Sequence, residues 1–204
     1  MIFNSEDYTS KFIIGSDEVG YGCLAGPIMV GAVRAPRDWN LEGLNDSKKL
    51  SEKKRDIMFA KLKELSLKGE IDYWVSERQA VCIDNIGLAP AQKECYLESI
   101  KNVWDDDCTV ILDGLLKLPG DQIDLSKVTS LVKADTYVPT VMAASILAKV
   151  CRDKYMRAQH AYYPQYHFDS NVGYGSPKHM AALQEHGPCV LHRHSYKPIK
   201  ALVK

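Results

Sequence analysis

The chain has 204 residues, of which 46% are hydrophobic and 25% are charged, so it can bury a core and is not intrinsically disordered. Its 26 basic and 26 acidic residues cancel, which excludes a uniformly basic nucleic-acid coat protein but allows binding through a local basic surface. No apolar run reaches the ~18 residues of a membrane helix, and no secretory signal is visible. The six scattered cysteines form no C-x-x-C pair, as is typical of reduced core residues. We expect one domain over residues 1–204, in the cytoplasm and away from membranes.

Strand and helix patterns alternate along the sequence. We predict strands at residues 12–16, 28–33, 71–76, 109–112 and 128–132, and helices at residues 52–65, 89–104, 140–157 and 177–186. This order predicts an α/β fold with a mixed central β-sheet flanked by helices, followed by a C-terminal extension of helix and loop. In such sheets the functional residues usually lie where strands end.

Four acidic residues stand at predicted strand ends. Asp17 and Glu18 follow the first strand, Asp113 follows the fourth, and Asp135 lies between the fifth strand and the long helix. An isolated acid in such a place is most often a turn former or a helix cap. Four of them in matching places predict one shared site if the strand ends converge. Such an oxygen-only ligand set suits Mg²⁺ or Mn²⁺ and two-metal phosphoryl chemistry.

The sequence Asp17-Glu18-Val19-Gly20-Tyr21-Gly22 predicts a turn after the first strand. Adjacent residues of a regular strand point to opposite faces, so both carboxylates reach one site only where the backbone leaves strand geometry. Gly20 and Gly22 favour that departure and would let a nucleic-acid strand approach closely. The alternative is a hairpin with a solvated acidic tip.

Other residues suit a substrate that carries phosphate. Ser145 and Lys149 are four positions apart on the predicted long helix and share a face, where they could bind a phosphate. Tyr174, between two glycines, could stack on a sugar or base, and the sequence His192-Arg193-His194 could contact a nucleic-acid backbone. The alternative is that these residues are packing and surface residues without a binding role.

Together these motifs resemble ribonuclease HII, over about residues 13–198. Their shared order and spacing make the resemblance specific. The segments that carry it are Asp17-Glu18-Val19-Gly20-Tyr21-Gly22 with Leu24-Ala25-Gly26-Pro27, Asp46-Ser47-Lys48-Lys49-Leu50-Ser51, Leu112-Asp113-Gly114, Lys133-Ala134-Asp135, Ala143-Ala144-Ser145-Ile146-Leu147-Ala148-Lys149-Val150 with Arg152-Asp153, Gly173-Tyr174-Gly175 with His179, and Glu185-His186-Gly187 with His192-Arg193.

The resemblance implies a ribonuclease H-like fold and a type 2 ribonuclease H, an endonuclease of DNA replication and repair. It would cleave RNA in RNA–DNA hybrids, or ribonucleotides in duplex DNA, and leave 5′-phosphate and 3′-hydroxyl ends. The resemblance also implies a monomer without an evident protein partner, and two Mg²⁺ or Mn²⁺ ions during catalysis. The implied catalytic and metal-binding residues are Asp17, Glu18, Asp113 and Asp135. The implied substrate contacts are Gly20, Tyr21, Gly22 and Tyr174 at the 2′-hydroxyl, and Lys48, Ser145 and Lys149 at phosphates.

One residue departs from the family pattern. The family has an arginine between two glycines where this chain has Tyr21, and tyrosine has neither the charge nor the planar fork of a guanidinium. We therefore expect incision at a single ribonucleotide to be more sensitive to this change than cleavage of long hybrids. Two other functions stay open at this point: a DNA nuclease of the resolvase or integrase type on the same fold, and a non-catalytic hybrid-binding protein.

Overall fold

Five strands form one mixed sheet in the computed structural model, which describes residues 3–120 and 122–202. The strands are β1 (Phe12–Val19), β2 (Ile28–Pro36), β3 (Asp72–Arg78), β4 (Cys108–Asp113) and β5 (Val128–Leu131). Their order across the sheet is β3-β2-β1-β4-β5. β2 is antiparallel to both β1 and β3, whereas β4 runs parallel to β1 and β5 runs parallel to β4.

Helices cover the sheet, and several short ones follow it. They are α1 (Glu52–Leu67), α2 (Ala80–Ile86), α3 (Leu88–Asn102), α4 (Pro139–Gln159), α5 (Phe168–Asn171), α6 (Pro177–His186) and α7 (Lys197–Lys200), with short 3₁₀ turns at Ser5–Asp7, Leu125–Lys127, Ala134–Thr136 and Pro164–Tyr166. The predicted mixed sheet with flanking helices and a C-terminal extension is confirmed, whereas α2, α5 and α7 were not predicted. Within the described residues, no helix has the length and apolarity needed to cross a membrane.

The central strand β1 has two buried faces. Ile13 packs with Val141 of α4, and Ile14 packs with Tyr96 and other residues of α3. Because side chains alternate along a strand, the odd-numbered residues of β1 face α4 and the even-numbered residues face α3. The same alternation continues to the end of the strand.

The predicted end of β1 at Ser16 is wrong, because the strand includes both acids. Asp17 pairs with Gly31 of β2, and Glu18 pairs with Val30. The main chain leaves the strand only at Gly20, whose φ of 88° lies in the left-handed region. Since β2 supplies the pairing up to that point, the two acids belong to a regular strand and not to a turn or a hairpin tip.

Glycines let α4 lie directly on the sheet. A Cβ atom on Gly15 of β1 would overlap the main chain at Val141, and one on Gly31 of β2 would overlap the Ala144 carbonyl. Small residues on α4, which include Ala143 and Ala144, complete this close contact. The approach brings the middle of α4 beside the end of β1, where Asp17 lies.

We expect Gly15→Ala to destabilise the fold by about 1–3 kcal/mol, because the added methyl group must push α4 away from the sheet. Thermal or urea denaturation measures the change. Gly22→Ala is the matched control, since a Cβ there meets no atom within 4 Å. Equal stabilities of the two variants would contradict the close packing of α4 on β1.

Candidate active site

Three carboxylates meet at one edge of the sheet. One oxygen each from Asp17, Asp113 and Asp135 lies within 4.8 Å of the other two. Asp17 is near the end of β1, Asp113 is the last residue of β4, and Asp135 lies in the 3₁₀ turn before α4. Because β1 and β4 are parallel, their carboxyl ends meet at the same edge. We call these three residues the carboxylate trio.

The carboxylate trio carries more negative charge than its surroundings balance. Burial raises the pKa of Asp17 to about 8, and repulsion from Glu18, Asp113 and Asp135 adds to the rise. Burial and the neighbouring Asp135 also raise the pKa of Asp113. Among the described residues, the salt bridge to the carboxylate trio comes from the mostly exposed Lys48, whose Nζ lies 2.9 Å from Asp135 Oδ2. The trio therefore favours an additional cation.

Glu18 lies beside the carboxylate trio but outside it. Its carboxylate accepts a hydrogen bond from the Tyr96 hydroxyl of α3, and Gln92 of α3 is a second partner. Burial raises the pKa of Glu18, and the charge of Asp113 contributes to the rise. The expected departure from strand geometry is wrong: the regular alternation of β1 sends Asp17 towards α4 and Glu18 towards α3.

A chain of hydroxyl groups holds Asp17 from the helix side. Ser145 of α4 hydrogen-bonds to the Asp17 carboxylate, and its Oγ lies 2.9 Å from Ser47 Oγ. Either hydroxyl can donate in this contact. Ser145, predicted to bind phosphate, thus lies between the Asp17 carboxyl group and the Ser47 hydroxyl in this structure.

A groove of about 360 Å³ opens above Asp17. It brings together all the substrate contacts implied by the sequence. Its lining residues are Asp17, Glu18, Val19, Gly20, Tyr21, Gly22, Ser47, Lys48, Ser145, Lys149 and Tyr174. A second groove of about 240 Å³ reaches Asp113 and Leu115, and Glu18 and Tyr21 line both grooves. Tyr21, with 46% of its surface exposed, therefore separates two approaches to the carboxylates.

Lys149 and Tyr174 form one wall of the larger groove. Lys149 Nζ lies 2.9 Å from Asp153 Oδ1 and 5.7 Å from the centre of the Tyr174 ring. The lysine is thus placed beside an aromatic face that is itself 43% exposed. This combination suits a phosphate next to a sugar or base.

Two fully buried arginines bind main-chain carbonyls in and after the Gly20–Gly22 turn. Arg152 of α4 donates to the carbonyls of Ala25, Pro27 and Val172 at 2.8–2.9 Å. Arg193 donates to the carbonyls of Tyr21 and Gly26 at 2.9–3.1 Å. The predicted contact of His192 and Arg193 with a nucleic-acid backbone is wrong, because both side chains are fully buried.

The supporting roles of several residues were not predicted from the sequence. The role of Arg152 could have been recognised, because Arg152 is seven positions after Ser145 and so falls on the same face of α4. The role of Ser47 could have been recognised too, as the neighbour of Lys48 in a polar loop. That of Tyr96 could not, because nothing in its own segment indicates that α3 packs against the end of β1.

Solved structures of ribonucleases H have the same fold. The chain superposes on the ribonuclease H2 of Pyrococcus horikoshii OT3 with a TM-score of 0.77, over 94% of this chain and 96% of that one, at 23% sequence identity. It superposes on Bst-RNase HIII, solved in complex with Mn²⁺, with a TM-score of 0.72, over 98% of this chain and 71% of that one, at 20% identity. At these identities the likeness concerns the fold.

Relatives found by sequence have higher identities to this chain than these two structures have. The chain is 39% identical to the ribonuclease HII of Idiomarina loihiensis, over 94% of this chain and 98% of the relative. It is 40% identical to the ribonuclease HII of Chlamydia caviae, over 99% of this chain and 92% of the relative. The sequence profile described as Ribonuclease HII matches residues 14–199. The chain therefore belongs to the ribonuclease HII family.

Proposed function

We propose that the chain cleaves the RNA strand of RNA–DNA hybrids at the carboxylate trio. As a member of the ribonuclease HII family it is an endoribonuclease that acts on RNA–DNA hybrids. Water adds to phosphorus and the bond to the 3′-oxygen breaks, which leaves a 5′-phosphate and a 3′-hydroxyl. The observation that carries the location is the convergence of one oxygen each from Asp17, Asp113 and Asp135 within 4.8 Å. Asp17 also lines a groove that contains Lys48 and Lys149.

The donor set fits divalent cations such as Mg²⁺ or Mn²⁺. The ligands are hard oxygens without a histidine or cysteine among them. We propose that Asp17, Asp113 and Asp135 hold these ions and that Glu18 contributes a fourth carboxylate from the α3 side. Two bound ions would activate the attacking water and stabilise the leaving oxygen. The raised pKa of Asp17 supports this assignment, because an added cation would offset the repulsion among the acids.

The remaining groove residues would hold and select the substrate. Lys48 already pairs with Asp135 at 2.9 Å, so it would reach a phosphate next to the reacting centre. Lys149 and Tyr174 would contact the neighbouring nucleotide, and the Gly20–Gly22 turn would approach its 2′-hydroxyl. These residues come from segments between Asp17 and Tyr174, which supports our proposal that residues 1–204 form one catalytic domain. We also propose that it acts as a monomer.

Family membership favours the ribonuclease over the two alternatives. A DNA nuclease of the resolvase or integrase type would prefer an all-DNA duplex to a hybrid. A non-catalytic hybrid-binding protein would bind hybrids without cutting them in Mn²⁺, whether or not the acids were present. Cleavage assays on a hybrid and on the matching DNA duplex separate the three functions.

Asp113→Asn is expected to lower hybrid cleavage at least about 100-fold, because even outer residues of a metal site contribute 10- to 100-fold. The measurement is the initial cleavage rate in Mg²⁺ and in Mn²⁺. Asp106→Asn is the control, since this aspartate is exposed and lies outside the carboxylate trio. Full metal-dependent cleavage by Asp113→Asn would remove the basis of the proposed site.

Asp17 is expected to make the metal-free protein less stable as the pH rises. Its pKa of about 8 in the folded state exceeds the ordinary 3.8, so between these values the folded form holds a proton that the unfolded form releases. The free energy of unfolding then falls by up to about 1.4 kcal/mol per pH unit in that range.

Thermal denaturation in EDTA checks this expectation. Asp17→Asn lacks the titrating group, so its melting temperature should exceed that of the unaltered protein at about pH 8 and converge with it near pH 4. In the unaltered protein, added Mn²⁺ should raise the melting temperature most at the higher pH. A pH-independent difference between the two proteins would show that Asp17 does not titrate in this range.

Tyr21→Arg is expected to raise incision at a single ribonucleotide in duplex DNA more than cleavage of a long hybrid. The arginine adds a charge and a planar fork at the exposed ridge between the grooves. The turn should keep its shape, because Arg193 and Tyr196 bind the Tyr21 carbonyl at 2.9 and 2.8 Å.

Parallel assays on the two substrates measure the ratio of the rates. Tyr21→Phe serves as the control, since it removes only a hydroxyl and adds no charge. An equal change on both substrates would contradict a specific role of position 21 at isolated ribonucleotides.

A further inference from the structure

Two histidines lie in direct contact in the C-terminal extension. His179 of α6 and His192 are fully buried, and their Nε2 atoms are 3.0 Å apart. The rings of Tyr166 and Phe168 pack against both, with centroids 4.7–6.2 Å away. This enclosure excludes water, so each ring nitrogen must find its partner within the protein.

The surrounding groups fix the proton on each ring. The Cys189 amide donates to His192 Nδ1 at 2.9 Å, a closer contact than the 3.3 Å to the Cys189 carbonyl. His192 Nδ1 is therefore an acceptor, and its Nε2 carries the proton. That proton goes to His179 Nε2, which leaves His179 Nδ1 as the donor to the Tyr174 carbonyl at 2.8 Å. The pair is a directed chain of hydrogen bonds that ends on Tyr174.

The other end of this hydrogen-bond chain, at His192, is attached to the segment that follows the Gly20–Gly22 turn. His192 forms a β-bridge with Ala25, and the next amide, of Arg193, donates to the Leu24 carbonyl at 2.9 Å. Gly26 in turn donates to the Leu191 carbonyl at 2.8 Å. His192 is thus fixed to the segment that follows the Gly20–Gly22 turn, whereas His179 is fixed to Tyr174.

We propose that the His179–His192 pair is a positioning device that sets Tyr174 relative to the Gly20–Gly22 turn. The proposal rests on the function proposed above, in which both elements contact the sugar of the ribonucleotide. The pair touches no substrate itself. It works because two neutral rings in opposite tautomers form one hydrogen bond of fixed direction between two segments.

Burial agrees with the neutral state of both rings. It lowers the pKa of His179, and it lowers the pKa of His192 to about 4. An additional proton on His179 Nε2 would place two N–H groups against each other across 3.0 Å and break the chain of hydrogen bonds.

Nitrogen NMR tests the arrangement without any activity. Long-range ¹H–¹⁵N spectra of histidine-labelled protein at neutral pH should show His192 protonated at Nε2 alone and His179 protonated at Nδ1 alone. The same tautomer on both rings, or a charged ring, would overturn the proposal. This readout keeps its meaning even if the protein fails to cleave hybrids, an outcome that would count against the proposed function only.

A double-mutant cycle tests whether His179 influences cleavage through Tyr174. His179→Leu should lower kcat/KM on an RNA–DNA hybrid about tenfold, because small displacements of a contact residue are costly. In a Tyr174→Ala background the same substitution should cause no further loss, since the residue it positions is gone. A further tenfold loss in that background would show that His179 acts independently of Tyr174.

Leu183→Ala is the matched control for stability. Leu183 is fully buried on α6, the helix that carries His179, and lies in the same apolar cluster as Tyr166 and Phe168. Its truncation should therefore lower the melting temperature without altering the hydrogen-bond chain. We expect its kcat/KM to stay within about twofold of the unaltered protein below the melting temperature. A loss equal to that of His179→Leu at equal destabilisation would overturn the positioning role.

Discussion

Repulsion among closely spaced carboxylates is the constraint around which this molecule is arranged. One oxygen each from Asp17, Asp113 and Asp135 lies within 4.8 Å of the other two, and bringing like charges together costs free energy that the rest of the fold must offset. The scaffold resists their separation through two parallel strands, the close seat of α4 on Gly15 and Gly31, and the hydroxyl groups of Ser47 and Ser145. The carboxylates are therefore brought together by the fold alone, and a bound cation would offset their repulsion.

The Gly20–Gly22 turn and the segment that follows it are held by their carbonyl groups. Arg152 and Arg193 are buried cations whose described partners are main-chain carbonyls and the Tyr196 hydroxyl. Each guanidinium donates to several carbonyls at once, which a lysine could not do in this planar arrangement. The buried guanidinium groups thus determine the shape of the turn, which depends little on the exposed side chain at position 21. Such an arrangement explains how a tyrosine can stand there without loss of the fold.

Periodicity and turn chemistry predicted most of the long elements. Of the four acids that the strand ends were predicted to bring together, Asp17, Asp113 and Asp135 converge and Glu18 lies outside their cluster. What they missed was the direction of each side chain. The sequence placed Asp17 and Glu18 in a turn, because two adjacent acids and two glycines favour one; pairing with Gly31 and Val30 of β2 keeps them in a strand instead. Tyr96 could not be predicted as a partner of Glu18, because that contact depends on how α3 crosses the sheet and not on any local pattern.

The buried arginines also connect distant parts of the chain. Arg193 binds the Gly26 carbonyl across 167 positions, and Arg152 binds the Ala25 carbonyl across 127. Contacts of such separation form late, since a long loop must close before they are rewarded. During synthesis Asp135 emerges before Arg152 and well before Arg193, so the side chain that binds the Tyr21 and Gly26 carbonyls is added near the end. A nascent polypeptide that stops short of Arg193 would thus carry all three clustered aspartates without this anchor of the Gly20–Gly22 turn.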